Sequence, residues 1–245
     1  MENISKNELL VIACKVRKGI IEGTFNAKSG HPGGSLSIAD ILTYLYFVEM
    51  NVDPANPVAP NRDRFVLSKG HAAPALYAVM AHRGYFPVEE LKTLRKVDSR
   101  LQGHPSMHYL PGIDISSGSL GQGISAACGM ALGAKLKGDA FRVYTILGDG
   151  EIGEGQVWEA AMYAAAKKLD NLVAFVDNNN LQIDGTVEEV YSQGEVLSSL
   201  GLDVPEITTV FLKLKEAGFD LGKTEYTVEG AKKSILNYLS KGGAL

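Results

Sequence analysis

Cysteine is scarce in this chain: 245 residues hold two, Cys14 and Cys128. Both fall inside apolar helical patterns, so they read as buried thiols, and neither a disulfide framework nor a zinc site is expected. There is no excess of positive charge either. Lys and Arg number 24 against 28 Asp and Glu, a net charge of −4, which leaves no basic footprint for nucleic acid. No apolar run approaches the ~20 residues of a membrane span. The N-terminus "MENISKNELL" lacks the apolar core of a secretory signal. A cytoplasmic protein with neither a nucleic-acid nor a membrane partner is expected. Repeats and low-complexity segments are missing as well. What is present, 45% hydrophobic and 21% charged residues, is the profile of a globular chain with a sizeable core.

Apolar spacing predicts helices over 7–27, over 37–48 with Ser37 and Asp40 as a cap signal, over 73–84, and over 121–138. Pro87 is placed to start a further helix, "PVEELKTLRKV". A short strand precedes the loop that carries His71, and residues 100–118 read as loop. Strand 141–147, helix 155–169 and strand 172–176 form a βαβ unit, so the two strands are expected to be parallel and adjacent or nearly so. The expected class is α/β, a parallel sheet flanked by helices.

Between the two strands lies "GDGEIGEG", residues 148–155. A glycine-rich turn from strand to helix suits an anion, because free N–H groups and the helix dipole point at it. Yet the turn carries three carboxylates, Asp149, Glu151 and Glu154. The second strand ends in "DNNNLQIDG". In an open parallel sheet, ligands bind outside the carboxyl ends of the strands, so Asp149 and Asn179 are brought together. A carboxylate and an amide oxygen are hard donors that suit Mg²⁺ or Ca²⁺. A divalent cation between Asp149 and a phosphate reverses the local sign, and Gly148 and Gly150 allow close backbone approach. Three histidines, His31, His71 and His104, each follow a glycine in a polar loop, a setting foreign to core residues. His82 reads as a helix-face residue and His108 as loop surface. Glu151 reads as part of a solvated turn. Trp158, Met162 and Tyr163 share helical spacing and read as core or subunit-interface residues. Ser35, Lys69 and Ser117 are further polar loop residues without an assigned contact.

"GDG" followed by "NN" is the pattern of thiamine diphosphate enzymes. "SGHPGGSLS", "LSKGHAAPALYA", "GHPS" and "SSGSLGQGISAACGMAL", with the long segment from "GDGEIGEG" to "LQIDG", resemble the diphosphate-binding half of transketolase, most of all its separate N-terminal subunit. The corresponding half of 1-deoxyxylulose-5-phosphate synthase shares the GDG–NN logic, but "SGHPGGSLS" and "GHPS" favour transketolase. The resemblance covers residues 7–185 and implies a thiamine-diphosphate-binding fold with thiamine diphosphate and Mg²⁺ as cofactors. It implies Asp149 and Asn179 as side-chain metal ligands and Leu181 as a carbonyl ligand. Gly148 and Gly150 would lie at the diphosphate, and Gly118 and Leu120 would flank the cofactor. His31, His71 and His104 would contact substrate and move protons. Glu154 would meet the activating glutamate of a partner. That partner is the C-terminal, pyrimidine-binding transketolase subunit, in a dimer of heterodimers acting on sugar phosphates of the pentose phosphate pathway. The cofactor would serve as electron sink for a two-carbon fragment.

Residues 186–245 differ in character. They contain no histidine, and their pattern predicts helices in "EEVYSQGEVLSSLG", "PEITTVFLKLKEAG" and "TVEGAKKSILNYLSKGG". This stretch resembles the C-terminal tail of the ATP-binding subunit of energy-coupling-factor transporters, and it has no "GxxxxGK[ST]" phosphate loop. The abrupt change at Gly185 implies a chimeric junction. Two parts are therefore expected: a truncated diphosphate-binding domain, 1–185, and a helical tail of foreign origin, 186–245. A non-catalytic, cofactor-binding fragment is the alternative to a transketolase half.

Overall fold

The computed structural model describes residues 4–178, 206–219, 221–222, 225 and 227–240. The chain divides into two compact units, Met1–Leu181 and Gln182–Leu245.

The first unit opens with α1, Lys6–Ala27. Its start is fixed by a capping box: Glu8 N–H donates to Ser5 Oγ, and Ser5 N–H donates to Glu8 Oε2 at 2.8 Å, satisfying donors that have no helical partner. It ends at Lys28, which adopts a left-handed conformation with φ of 48°. Two short helices follow, α2 (Pro32–Leu36) and α3 (Ala39–Tyr44), the latter continuing as a π turn over Leu45–Glu49. The helix expected over 37–48 thus forms over 39–49, with its second half π-helical. Ser37 does not cap it; its hydroxyl donates instead to Asp177 Oδ1 at 2.6 Å. Strand β1, Arg64–Leu67, leads through a single 3₁₀ turn at Gly70–Ala72 into α4, Ala73–Arg83. Residues 73–81 of α4 are buried on every side, and Gly84 ends the helix with φ of 103°. The segment after Pro87 is a 3₁₀ turn, Val88–Thr93, and not a full helix. Then come α5 (Gly123–Lys137), β2 (Val143–Gly148), a 3₁₀ turn at Gly150–Gly153, α6 (Gly155–Ala166) and β3 (Leu172–Asp177).

The three strands are parallel in the order β1–β2–β3, with Val66 opposite Thr145 and Thr145 opposite Ala174. Alternate side chains leave the sheet on opposite faces. Phe65, Leu67, Tyr144 and Ile146 join the core formed with α1, α3 and α4. Val66, Val143 and Leu147 join a second core with Ile124, Ala127 and Ala131 of α5 and Val157 and Ala160 of α6. Both faces of β2 are therefore covered, which explains its unbroken apolar sequence. Among the described residues β3 is an edge, and Val176 on it is 49% exposed. Of the two cysteines, Cys128 is buried as expected, but Cys14 is exposed on α1.

In the second unit, α7 (Glu206–Glu216) and α8 (Val228–Ser240) pack around Phe211, Leu221 and Ala231. The helix expected at "EEVYSQGEVLSSLG" lies outside the described residues.

Close approach governs where α5 starts. A Cβ added to Gly123 would lie 2.6 Å from the Cα and Oγ of Ser68, so the helix begins directly on the turn that follows β1. Backbone cannot yield as a flexible side chain does. Gly123→Ala is expected to lower unfolding free energy by about 1–3 kcal/mol, read as a shifted denaturation midpoint; an unchanged midpoint contradicts this contact.

Candidate active site

The carboxyl ends of the three strands carry the chemistry. β1 runs into Ser68 and Lys69, β2 into Gly148 and Asp149, and β3 ends at Asp177. Each of these ends is tied to another by buried hydrogen bonds.

Lys69 is 2% exposed. Its ammonium donates to Asp177 Oδ2 at 2.5 Å and to the Gly34 carbonyl at 2.8 Å. Asp177 also accepts from Ser37, and its own carbonyl accepts from Asp149 N–H at 3.1 Å. The loop between α1 and α3 is thereby pinned to the ends of β1 and β3. Ser35 in the same loop turns inward and donates to the His31 carbonyl at 2.7 Å.

Glu151 corrects the expectation of a solvated turn residue. It is 2% exposed. Oε1 accepts from Ser68 Oγ at 2.5 Å and from Gly121 N–H at 2.8 Å, and Oε2 accepts from Gly148 N–H at 3.1 Å. A buried carboxylate is tolerated because its lone pairs are filled by donors. Only the bond back to Gly148, three residues earlier, has a local spacing that sequence could suggest. Ser68 and Gly121 come from distant loops.

His31 and His71 stand together, ring centroids 5.1 Å apart and inclined at 62°. A Cβ placed on Gly34 would lie 3.5 Å from His71 Nε2 and 3.8 Å from Lys69 Nζ. The loop at 117–121 crosses above: a Cβ on Gly70 would lie 2.8 Å from Gly118 N, and one on Gly118 would lie 3.3 Å from the His104 ring. His104 is held from below, since the Tyr77 hydroxyl donates to the carbonyls of Gln102 and His104 at 3.0 Å each. The three glycine–histidine motifs therefore meet at one end of the sheet. Burial pushes the His71 imidazole down to about 4, with His31, Lys69 and His104 adding to the effect. His31 is lowered by burial, then by Arg95 and His104. Both rings are neutral at pH 7 and offer one donor and one acceptor nitrogen each. Arg95, which the sequence did not single out, reaches this corner from a backbone with φ of 59°, donating to Ser29 Oγ at 2.9 Å.

Asp149 caps its own turn, accepting from Gly150 N–H through Oδ1 at 3.0 Å. Asn179 and Leu181 lie outside the described residues. Among the described residues no three His, Cys, Asp or Glu side chains form a ready metal cluster. Glu154 is exposed at the start of α6, and Leu120 is 38% exposed. A Cβ on Gly121, whose φ is +79°, would meet Glu154 Cβ at 2.9 Å, so this glycine lets the two loops touch. Trp158, Met162 and Tyr163 do not enter the core of this chain: they are 59%, 66% and 43% exposed along α6. His82 and His108 lie away from the cluster, His82 bonded to the Lys15 carbonyl of α1 and His108 on an exposed loop.

The model of the family described as "Transketolase, thiamine diphosphate binding domain" matches residues 12–198. The match passes beyond Gly185, where the character of the sequence changes. The 6-deoxy-6-sulfo-D-fructose transketolase subunit SqwG of Clostridium sp. (strain MSTE9) is 52% identical over 175 residues, 71% of this chain and 64% of that protein. An apulose-4-phosphate transketolase subunit of Phocaeicola vulgatus is 48% identical over 178 residues, 73% of this chain and 63% of that protein. The chain thus spans just under two thirds of the length of these relatives. Among solved structures, transketolase from Campylobacter jejuni superposes with a TM-score of 0.67 at 32% identity, covering 82% of this chain and 33% of that one. No helix among the described residues is long and apolar enough to cross a membrane.

The lowered pKa of His71 makes folding sensitive to acid. Unfolded, the ring binds a proton near its ordinary value of 6.5; folded, it does so only near 4. Between these values the unfolded chain holds the extra proton, so stability rises with pH across that window and is lost as pH falls through it. His71→Gln is expected to flatten this slope, measured by denaturation between pH 4 and 6.5. An NMR titration showing His71 protonated at pH 6 would contradict the burial argument.

Proposed function

The chain belongs to the transketolase family, through its thiamine diphosphate binding domain, and on that premise we propose that it is the diphosphate-binding half of a two-subunit transketolase. It transfers a two-carbon ketol unit between sugar phosphates together with a separate pyrimidine-domain subunit, in a cytoplasmic dimer of heterodimers. The observation that carries the reading is the convergence at the strand ends: Gly34 on His71, Gly70 on Gly118, and Gly118 on His104.

The described residues fit the cofactor. Ser117 Oγ, beside Gly118, is buried with no hydrogen-bond partner among the described residues, so it is free to bond a ligand. A Cβ at Gly150 would meet none of the described residues within 4 Å, which leaves space beside Asp149 among them. Asp149 is a hard ligand suited to Mg²⁺, which commonly keeps only one or two protein carboxylates and fills its shell with phosphate oxygens and water. Asn179 and the Leu181 carbonyl complete the proposed set. Gly148, Gly150, Gly118 and Leu120 line the diphosphate and its surroundings. When bound, thiamine diphosphate supplies the electron sink that two-carbon transfer requires.

The chain's own side chains do the rest. His31 and His71, neutral at pH 7, hydrogen-bond sugar hydroxyls and accept protons, and His104 stands across from them. Glu154, exposed beside Gly121, faces the partner. The helices α7 and α8 of the second unit have no part in the proposed chemistry.

Calorimetry with thiamine diphosphate and Mg²⁺, alone and with a cognate pyrimidine-domain subunit, tests the proposal. Turnover of xylulose 5-phosphate with ribose 5-phosphate is expected in the mixture and not from this chain alone. The absence of binding in both settings would leave the fragment reading. Asp149→Ala is expected to abolish cation-dependent cofactor binding, and unchanged affinity removes it from the metal site. Glu154→Ala is expected to spare cation binding and to weaken activation or assembly with the partner; lost cation affinity contradicts that role.

A further inference from the structure

Glu151 has no part in the chemistry above, yet its buried carboxylate accepts three hydrogen bonds. Its donors come from three places: the Ser68 hydroxyl after β1, the Gly121 N–H ahead of α5, and the Gly148 N–H at the end of β2. These are the loops that carry Lys69 and His71, Gly118 and Leu120, and Asp149. The turn is also closed on its far side, where Trp158 of α6 donates its indole N–H to the Ile152 carbonyl at 2.8 Å. The neighbour of Ser68 acts likewise: Lys69 holds Asp177 at the end of β3. Adjacent residues of one turn thus grip two buried carboxylates, one after β2 and one on β3.

We propose that Glu151 is a positioning residue for the diphosphate and cation site, fixing the spacing between the Asp149 turn and the Gly118–Leu120 loop. The proposal rests on the reading that thiamine diphosphate and Mg²⁺ bind there. Glu151 itself touches neither. Two loops with no direct backbone ladder between them share one rigid acceptor, so the distance between them is set before any ligand arrives. Supporting residues of this kind orient the groups that do bind, and their loss commonly costs about 10- to 100-fold in affinity.

An amide cannot replace this carboxylate. Three donors converge on two oxygens, and glutamine offers one oxygen and one NH₂. In one orientation the NH₂ confronts Gly148 N–H, in the other Gly121 N–H, and a buried donor is left unmet.

The test compares parent, Glu151→Gln and Ser68→Ala, each shown folded by circular dichroism at the temperature used. In the chain without cofactor, amide hydrogen exchange at Gly121 and Gly148 is expected to accelerate in Glu151→Gln, while Tyr144 and Ile146 within β2 keep their protection. In calorimetry with thiamine diphosphate and Mg²⁺, that variant is expected to bind about 10- to 100-fold more weakly. Ser68→Ala is expected to show a smaller loss, and the double variant no more than Glu151→Gln alone, because both remove one network. If Glu151→Gln does not fold, Ser68→Ala decides by the same two readouts. Faster exchange with parental affinity overturns the positioning role and leaves a purely structural clasp. A parent chain that binds no thiamine diphosphate, alone or with its pyrimidine-domain subunit, overturns the underlying reading and the positioning role with it.

Discussion

At the centre of the site region a carboxylate is taken out of water. Burying an ion costs several kcal/mol unless its lone pairs are filled, and Glu151, 2% exposed, is filled by three donors. Three loops at the strand ends are tied to that carboxylate. Ser68 must point at the turn after β2, so Lys69 beside it points the other way, to Asp177 and Gly34. Gly123 must be glycine because α5 starts against Ser68. Gly121 must be glycine because its loop passes against Glu154 with a positive φ. His71 then follows in the 3₁₀ turn Gly70–Ala72, close to His31.

The layered architecture was legible because the sheet is parallel and covered on both faces. β2 reads as a continuous apolar run, the small-residue helix α5 follows from "GISAACGMALGAKLK", and the βαβ unit follows from the spacing of its parts. Local signals failed where tertiary contacts overruled them. Ser37 looks like a cap, but Asp177, 140 residues away, claims its hydroxyl. Pro87 suits a helix start, yet only a 3₁₀ turn forms over Val88–Thr93. Cys14 has apolar neighbours in sequence and still faces solvent, because α1 buries the stripe of Ala13, Val16, Gly19, Ile20 and Gly23.

The site was legible by a different route. Residue chemistry alone drew attention to the glycine–histidine pairs and to Asp149, and the resemblance to transketolase gave them proposed roles. Burial is what sequence could not show. Lys69 and Glu151 are charged residues in glycine-rich loops, the usual mark of a solvated surface, and both prove to be buried ties between loops. For Trp158, Met162 and Tyr163, read as core or subunit-interface residues, the core alternative falls, because α6 leaves them exposed in the single chain. Glu154 at the start of the same helix is exposed as well.

The claim that the carboxyl end of the sheet receives a cation-bound diphosphate is tested most directly with Mn²⁺ in place of Mg²⁺. In the presence of thiamine diphosphate and the pyrimidine-domain subunit, paramagnetic broadening is predicted to centre on the amides of Gly148–Glu151 and Ser117–Gly121. The amide of Val143, at the opposite end of β2, should stay sharp. A rival site exists in principle at that opposite end, where Glu49, Asp63 and Asp139 line an open cleft of about 440 Å³. Broadening centred there, or none that depends on thiamine diphosphate, would contradict the account.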